Sequence, residues 1–104
     1  MNDGAVITAQ FETLEGDRSR VAGVMHFTTV TALLLSGTDA IENGRAAVID
    51  LSGVSDSDSS GLALLIEWLS IARAGRRSLR YENIPVQLHQ LARLSDVEEL
   101  LTAR

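Results

Sequence analysis

Asp50-Leu-Ser-Gly-Val-Ser-Asp-Ser-Asp-Ser-Ser-Gly61-Leu-Ala-Leu-Leu65 passes through three textures in one short stretch, and the reading of the chain turns on them. It begins as the end of an apolar run, Ala46 to Leu51 with Val48, Ile49 and Leu51. Such a run suits a short strand covered on both faces and placed centrally in a sheet. Ser52 to Ser60 is polar, rich in serine and aspartate, and reads as a loop. A strongly apolar helix then begins, spanning about Ser59 to Ala74. Asp58 or Ser57 is placed to accept the orphan N–H groups of its first turn, and Gly75 closes it after Arg73 and Ala74.

Upstream, Ala5 to Thr13 alternates loosely, with Val6 and Phe11 among Thr8, Gln10 and Glu12, as a half-buried strand would. Glu15-Gly16-Asp17 is a turn, and Val21 to Phe27 returns as a second strand, so the two form a hairpin. From Thr28 the period becomes helical through Val30, Leu33, Leu34 and Ile41. Thr28 or Thr29 caps its start and Asn43-Gly44 stops it. Downstream, Leu79 to Glu82 makes a fourth strand. Pro85 precedes a third helix carrying Leu88, Leu91, Ala92 and Leu94, and a fragment around Val97 to Leu101 follows. The order predicts an α/β sandwich: a mixed four-stranded sheet backed by three or four helices.

Composition narrows function. With 104 residues, 45% apolar and 22% charged, the expectation is one domain over residues 1–104. No cysteine means no disulfide, thiolate nucleophile or sulfur-ligated zinc. All nine basic residues are arginine, which removes P-loop and Schiff-base lysines. A net charge of −5 has the wrong sign for gripping nucleic acid. The longest apolar run, Leu62 to Ile66, is far short of the roughly 20 residues of a transmembrane helix. Asp3, Glu12, Glu15 and Asp17 break up any secretory signal, so a cytoplasmic location is expected.

Asp58-Ser59-Ser60-Gly61-Leu62, following Asp50-Leu51-Ser52, resembles the signature of the STAS domain family, which includes bacterial anti-sigma factor antagonists and the tails of sulfate transporters. The succession of hairpin, helix, central strand, signature and fourth strand follows the family's order. Gly61 to Leu65, Trp68, Ala72, Gly75, Asn83-Ile84-Pro85, Leu88, Leu91 to Leu94 and Val97 are similar to the MlaB subgroup. That resemblance implies a small cytoplasmic subunit without catalysis or cofactor. It would bind the ATPase of a phospholipid ABC transporter that maintains lipid asymmetry, at the cytoplasmic face of the inner membrane. The alternative branch implies an anti-sigma factor antagonist switched by phosphorylation of Ser59.

Helix two adds an argument of its own. At about 100° per residue, Leu62, Leu65, Ile66 and Leu69 share one side, while Leu64, Trp68 and Ile71 form a stripe on roughly the other. One sheet does not cover both. Either helix one or three buries the second stripe, or that stripe docks another protein; tryptophan's enrichment at binding hot spots favours docking. The expected partner-binding set is therefore Ser57, Asp58, Ser59, Ser60, Leu64, Trp68 and Ile71. Trp68→Ala with Ser59→Glu should then weaken docking and leave the fold intact. Ser59 reads either as a plain capping hydroxyl or as the phosphorylated position, where the helix dipole would favour a phosphate and Asp56 and Asp58 would repel it.

Catalysis and metal binding find little support. Gly53-Val54-Ser55-Asp56-Ser57 misses the G-x-S-x-G elbow at its last residue, and neither His26 nor His89 stands in the context of a triad base. Two distant histidines with scattered carboxylates do not make a metal site. Isolated nucleotide binding lacks a phosphate-cradling glycine loop. Arg73, Arg76, Arg77 and Arg80 cluster around the end of helix two, either as a solvated turn or as a contact for an acidic partner or anionic lipid heads.

Overall fold

The computed structural model describes residues 7–102. Strand β1 (Ala9–Thr13) turns at Gly16, whose φ is +73°, into β2 (Arg18–Met25), and the two pair antiparallel with Phe11 opposite Val21. Helix α1 (Val30–Glu42) leads to β3 (Val48–Ser57), α2 (Ser59–Ala74), β4 (Arg80–Glu82), α3 (Val86–Leu94) and α4 (Glu98–Thr102). The sheet order is β1-β2-β3-β4, with β3 parallel to both β2 and β4. The first strand is thus present from Ala9; its expected start at Ala5 and Val6 lies outside the described residues.

Two expectations about β3 are corrected. Ser52 to Ser57 is strand rather than loop, because β2 continues alongside it and supplies the ladder as far as Met25 opposite Ser57. Register shifts between Arg20 and Ala22 and between Gly23 and Val24 let the polar half bend while still pairing. Nor is the strand covered on both faces. Ile49 and Leu51 are fully buried, but Asp50 faces the other way. It belongs to a charged row that crosses the whole sheet in register: Glu12, Arg20, Asp50 and Glu82. Among the described residues no helix covers this side. Its carboxylates and guanidiniums pair with each other, Arg18 with Glu82, Arg80 with Glu82 at 2.9 Å, and Arg20 Nε with Glu12 at 3.3 Å.

All four helices pack on the opposite side, over Val21, Met25, Ile49, Leu51 and Tyr81. Tyr81 is buried because its hydroxyl donates to the Leu65 carbonyl at 2.6 Å, and desolvation raises its pKa well above the ordinary phenol value. Buried Ser19 likewise donates to the Arg45 carbonyl at 2.9 Å.

The two apolar sides of α2 are both occupied. Leu62 and Leu65 go to the core, while α1 lies against Leu64 and Trp68, which are 4% and 0% exposed. The Trp68 ring meets Phe11 edge-on at 5.6 Å between centroids, and its Nε1 donates weakly to the Leu34 carbonyl at 3.5 Å. Gly37 makes that approach fit, since a Cβ there would collide with the indole. The expected docking stripe is therefore corrected: Leu64 and Trp68 are core, Ile71 is partly buried against it, and helix one is the element that covers them.

Candidate functional site

The C-terminal end of β3, the first turn of α2, the β2–α1 connection and the start of α3 meet at one end of the molecule. Asp58 is the junction. As N-cap of α2 it has extended backbone (φ −105°, ψ −171°), and its Oδ1 accepts from Ser60 N–H at 2.8 Å. Its Oδ2 accepts from Phe27 N–H at 3.2 Å, while its own N–H donates to the Met25 carbonyl at 3.1 Å. One carboxylate thus ties the helix start to the β2–α1 loop. Partial desolvation pushes the Asp58 carboxyl up, but the Ser60 and Phe27 N–H donors and the nearby His26 outweigh it, and its pKa lies below the ordinary value.

A second brace runs through Ser57 and Gln87. The Gln87 carbonyl oxygen accepts from Ser57 N–H at 3.1 Å, tying the start of α3 to the end of β3. His26 Nε2 lies 3.1 Å from Asp56 Oδ2. Gln87 first, then Ser57 N–H and His26, hold the Asp56 carboxyl below its usual pKa. The loop carrying His26 is set by Thr29, whose hydroxyl accepts from His26 N–H at 3.0 Å and donates to the Val24 carbonyl at 2.7 Å. Thr29 is the positional N-cap of α1, yet its side chain bonds this loop and not the helix.

Of the residues expected at the site, Ser57, Asp58, Ser59 and Ser60 are together, in unequal roles. Ser57 is 3% exposed and its hydroxyl donates to the Asp58 carbonyl at 3.0 Å, so it is structural and unavailable to His26. Its Oγ and Met25 leave no room for a Cβ at position 61, which is why glycine stands there. Ser59 is exposed at the first helical position, and Ser60 is half-buried. Leu64, Trp68 and Ile71 do not present themselves here.

Sequence reasoning missed Phe27, His26 and Gln87. Phe27, read as the end of a strand, is 72% exposed just beyond β2. Three residues further on, Val30 begins the lining of a shallow groove of about 370 Å3 between α1 and α2, formed with Thr31, Leu34, Ser60, Ala63, Glu67 and the buried Leu64. A large aromatic ring left beside a polar turn is a signal of its own, but nothing in its spacing distinguished it from a strand residue. Among the described residues no group of three or more histidine, aspartate or glutamate side chains is placed to hold a metal ion.

A mixed four-stranded sheet with helices on one face, presenting a capped helix N-terminus at one end, defines an α/β sandwich module. Solved structures share it, among them two of SpoIIAA. The Bacillus cell fate determinant SpoIIAA in its phosphorylated form superposes with a TM-score of 0.65 and 18% identity, covering 86% of this chain and 84% of that one. The anti-sigma factor antagonist SpoIIAA in its unphosphorylated form gives 0.66 and 18%, over 86% and 82%. A family model described as "Mlab, STAS domain" matches residues 11–102, and the chain belongs to the STAS domain family. No curated protein matches it.

Proposed function

We propose that this chain is a non-catalytic cytoplasmic STAS subunit that binds and supports the ATPase of a phospholipid-trafficking ABC transporter. The observation that carries the docking part is the groove between α1 and α2, together with Phe27, 72% exposed in the loop that leads into α1. An exposed aromatic, a shallow apolar groove and a fixed polar rim together have the anatomy of a binding hot spot. The rim, Asp58, Ser59 and Ser60, is already ordered by the cap, so little side-chain entropy is lost on binding. The MlaB-type description of the family supports the ATPase as the partner. No helix of the described residues is long and apolar enough to cross a membrane, so on this reading membrane association comes through the transporter.

Co-purification of the tagged chain from its host, with partners identified by mass, tests the reading. The expected result is a transporter ATPase recovered with the native chain and weakened about tenfold or more by Phe27→Asp or Ser59→Glu, with unchanged thermal unfolding. Full retention by both variants would remove this surface.

A second reading, an anti-sigma factor antagonist switched at Ser59, is favoured by the fold shared with SpoIIAA and by the exposure of Ser59 at the first helical position. It predicts an anti-sigma factor in the same co-purification, and a Ser59 peptide heavier by one phosphate. Asp56 and Asp58 nearby would oppose that added charge.

A further inference from the structure

A second groove, of about 340 Å3, runs along the other side of α2. Ile66, Leu69, Leu79 and Leu100 form its apolar walls, and Arg73 and Arg77 stand at one end. Ile66, Leu69 and Leu79 are only partly buried and Leu100 is 47% exposed, so the strip is unfilled. From Ile66 to Arg73 it extends two helical turns, about 10 Å. None of its lining residues is acidic, in a chain with 14 acidic residues against nine basic.

The arginines at this end differ from the rest. Arg18, Arg20, Arg80 and Arg93 each pair with a carboxylate. Among the described residues Arg45, Arg73, Arg76 and Arg77 make no such pair. Arg77 Nη2 donates instead to the Glu42 backbone carbonyl at 2.8 Å, which draws it to the end of α1 beside Arg45. Asp39 and Glu42 belong to that last turn of α1, and Asp39 is engaged by Asn43 at 3.1 Å. Helix C-termini favour nearby cations, which accounts for arginines at this pole but not for an apolar strip leading up to them.

We propose that this groove seats an acidic amphipathic helical segment of a partner protein, its apolar residues against Ile66, Leu69 and Leu100 and a carboxylate at Arg73, at the end that Arg77 also lines. Two turns of unfilled apolar strip match the anchor spacing of a helix laid in a groove, and guanidiniums bind carboxylates in a geometrically selective fork. A protein segment fits better than an anionic bilayer. The whole chain carries −5 and is repelled by a negatively charged sheet of lipid, whereas a carboxylate in the groove feels only charges within about 8 Å at physiological salt. The groove is separate from the Phe27 surface and needs no particular partner there.

A benzophenone amino acid at Ser70, which lines the groove and is exposed, tests this in the host's intact complex, with a second chain labelled at Ala63 in the α1–α2 groove. The expected adduct at Ser70 is a segment with glutamate or aspartate interleaved with apolar residues at helical spacing. Its yield should fall about tenfold in Arg73→Glu/Arg77→Glu and less in Arg73→Gln/Arg77→Gln, while the Ala63 adduct stays constant. The glutamine variant, with unfolding midpoints measured for both, separates lost recognition from lost folding. A neutral or basic segment, a second copy or another part of this chain, a lipid adduct, no adduct, or a yield indifferent to the arginines would overturn the proposal. So would flotation with phosphatidylglycerol vesicles that depends on Arg73 and Arg77. An adduct at Ala63 without one at Ser70 rejects this groove alone; the reverse rejects the Phe27 surface alone.

Discussion

The Trp68 indole fits beneath α1 because position 37 has no side chain, and the two residues act as one packing unit. Gly37→Ala should cost about 1–3 kcal/mol through overpacking, and Trp68→Ala about 3–5 kcal/mol through the cavity it leaves. Urea unfolding followed by circular dichroism measures both. The expectation that Trp68→Ala spares the fold is thereby reversed. Periodicity showed that Leu64, Trp68 and Ile71 share a side of α2, but periodicity describes a face and not its neighbour. The small residue that admits the indole lies 31 positions upstream, at a place that reads only as a helical glycine.

At the scale of elements, α2 was legible from end to end, Ser59 to Ala74, because its cap, its apolar sides and its stop are all local signals. Asp58→Ala should destabilise the chain by about 1 kcal/mol at neutral pH. The native carboxyl has a lowered pKa, so its contribution is present above the unfolded carboxylate range and disappears as pH falls through the folded value. Unfolding midpoints of native and variant chains should therefore differ at pH 7 and converge only as pH falls below the ordinary carboxylate range. At the other end, Gly75 is the C-cap with an ordinary φ of −89°, and Arg76 takes the left-handed conformation at +56°. Arg76→Gly should gain about 0.5–1 kcal/mol, read as a higher melting temperature. The polar half of β3 escaped the sequence reading for a physical reason: serine and aspartate prefer turns in isolation, and the ladder along β2 overrides that preference.

Over the whole molecule, the order of strands and helices was readable because hairpin, crossover and capping signals occur in sequence along the chain. The site was readable only where it is contiguous, from Ser57 to Ser60. Phe27, His26 and Gln87 reach it through the fold, from 31 and 32 residues before Asp58 and 29 after it. The charged row on the uncovered side of the sheet behaves differently from either. Glu12 and Arg20 are about half and two-fifths exposed, so Glu12→Gln or Arg20→Gln should move the unfolding free energy by less than about 0.5 kcal/mol, measured in the same urea series.

That bare side of the sheet has a further consequence for descent. Positions such as Glu12 and Arg20, exposed and joined by one weakly coupled charge pair, impose little penalty on replacement, provided each strand keeps its alternation. Sequences diverging from a common ancestor should accumulate their differences on this flank first, while the glycine under the indole and the aspartate at the start of α2 change last.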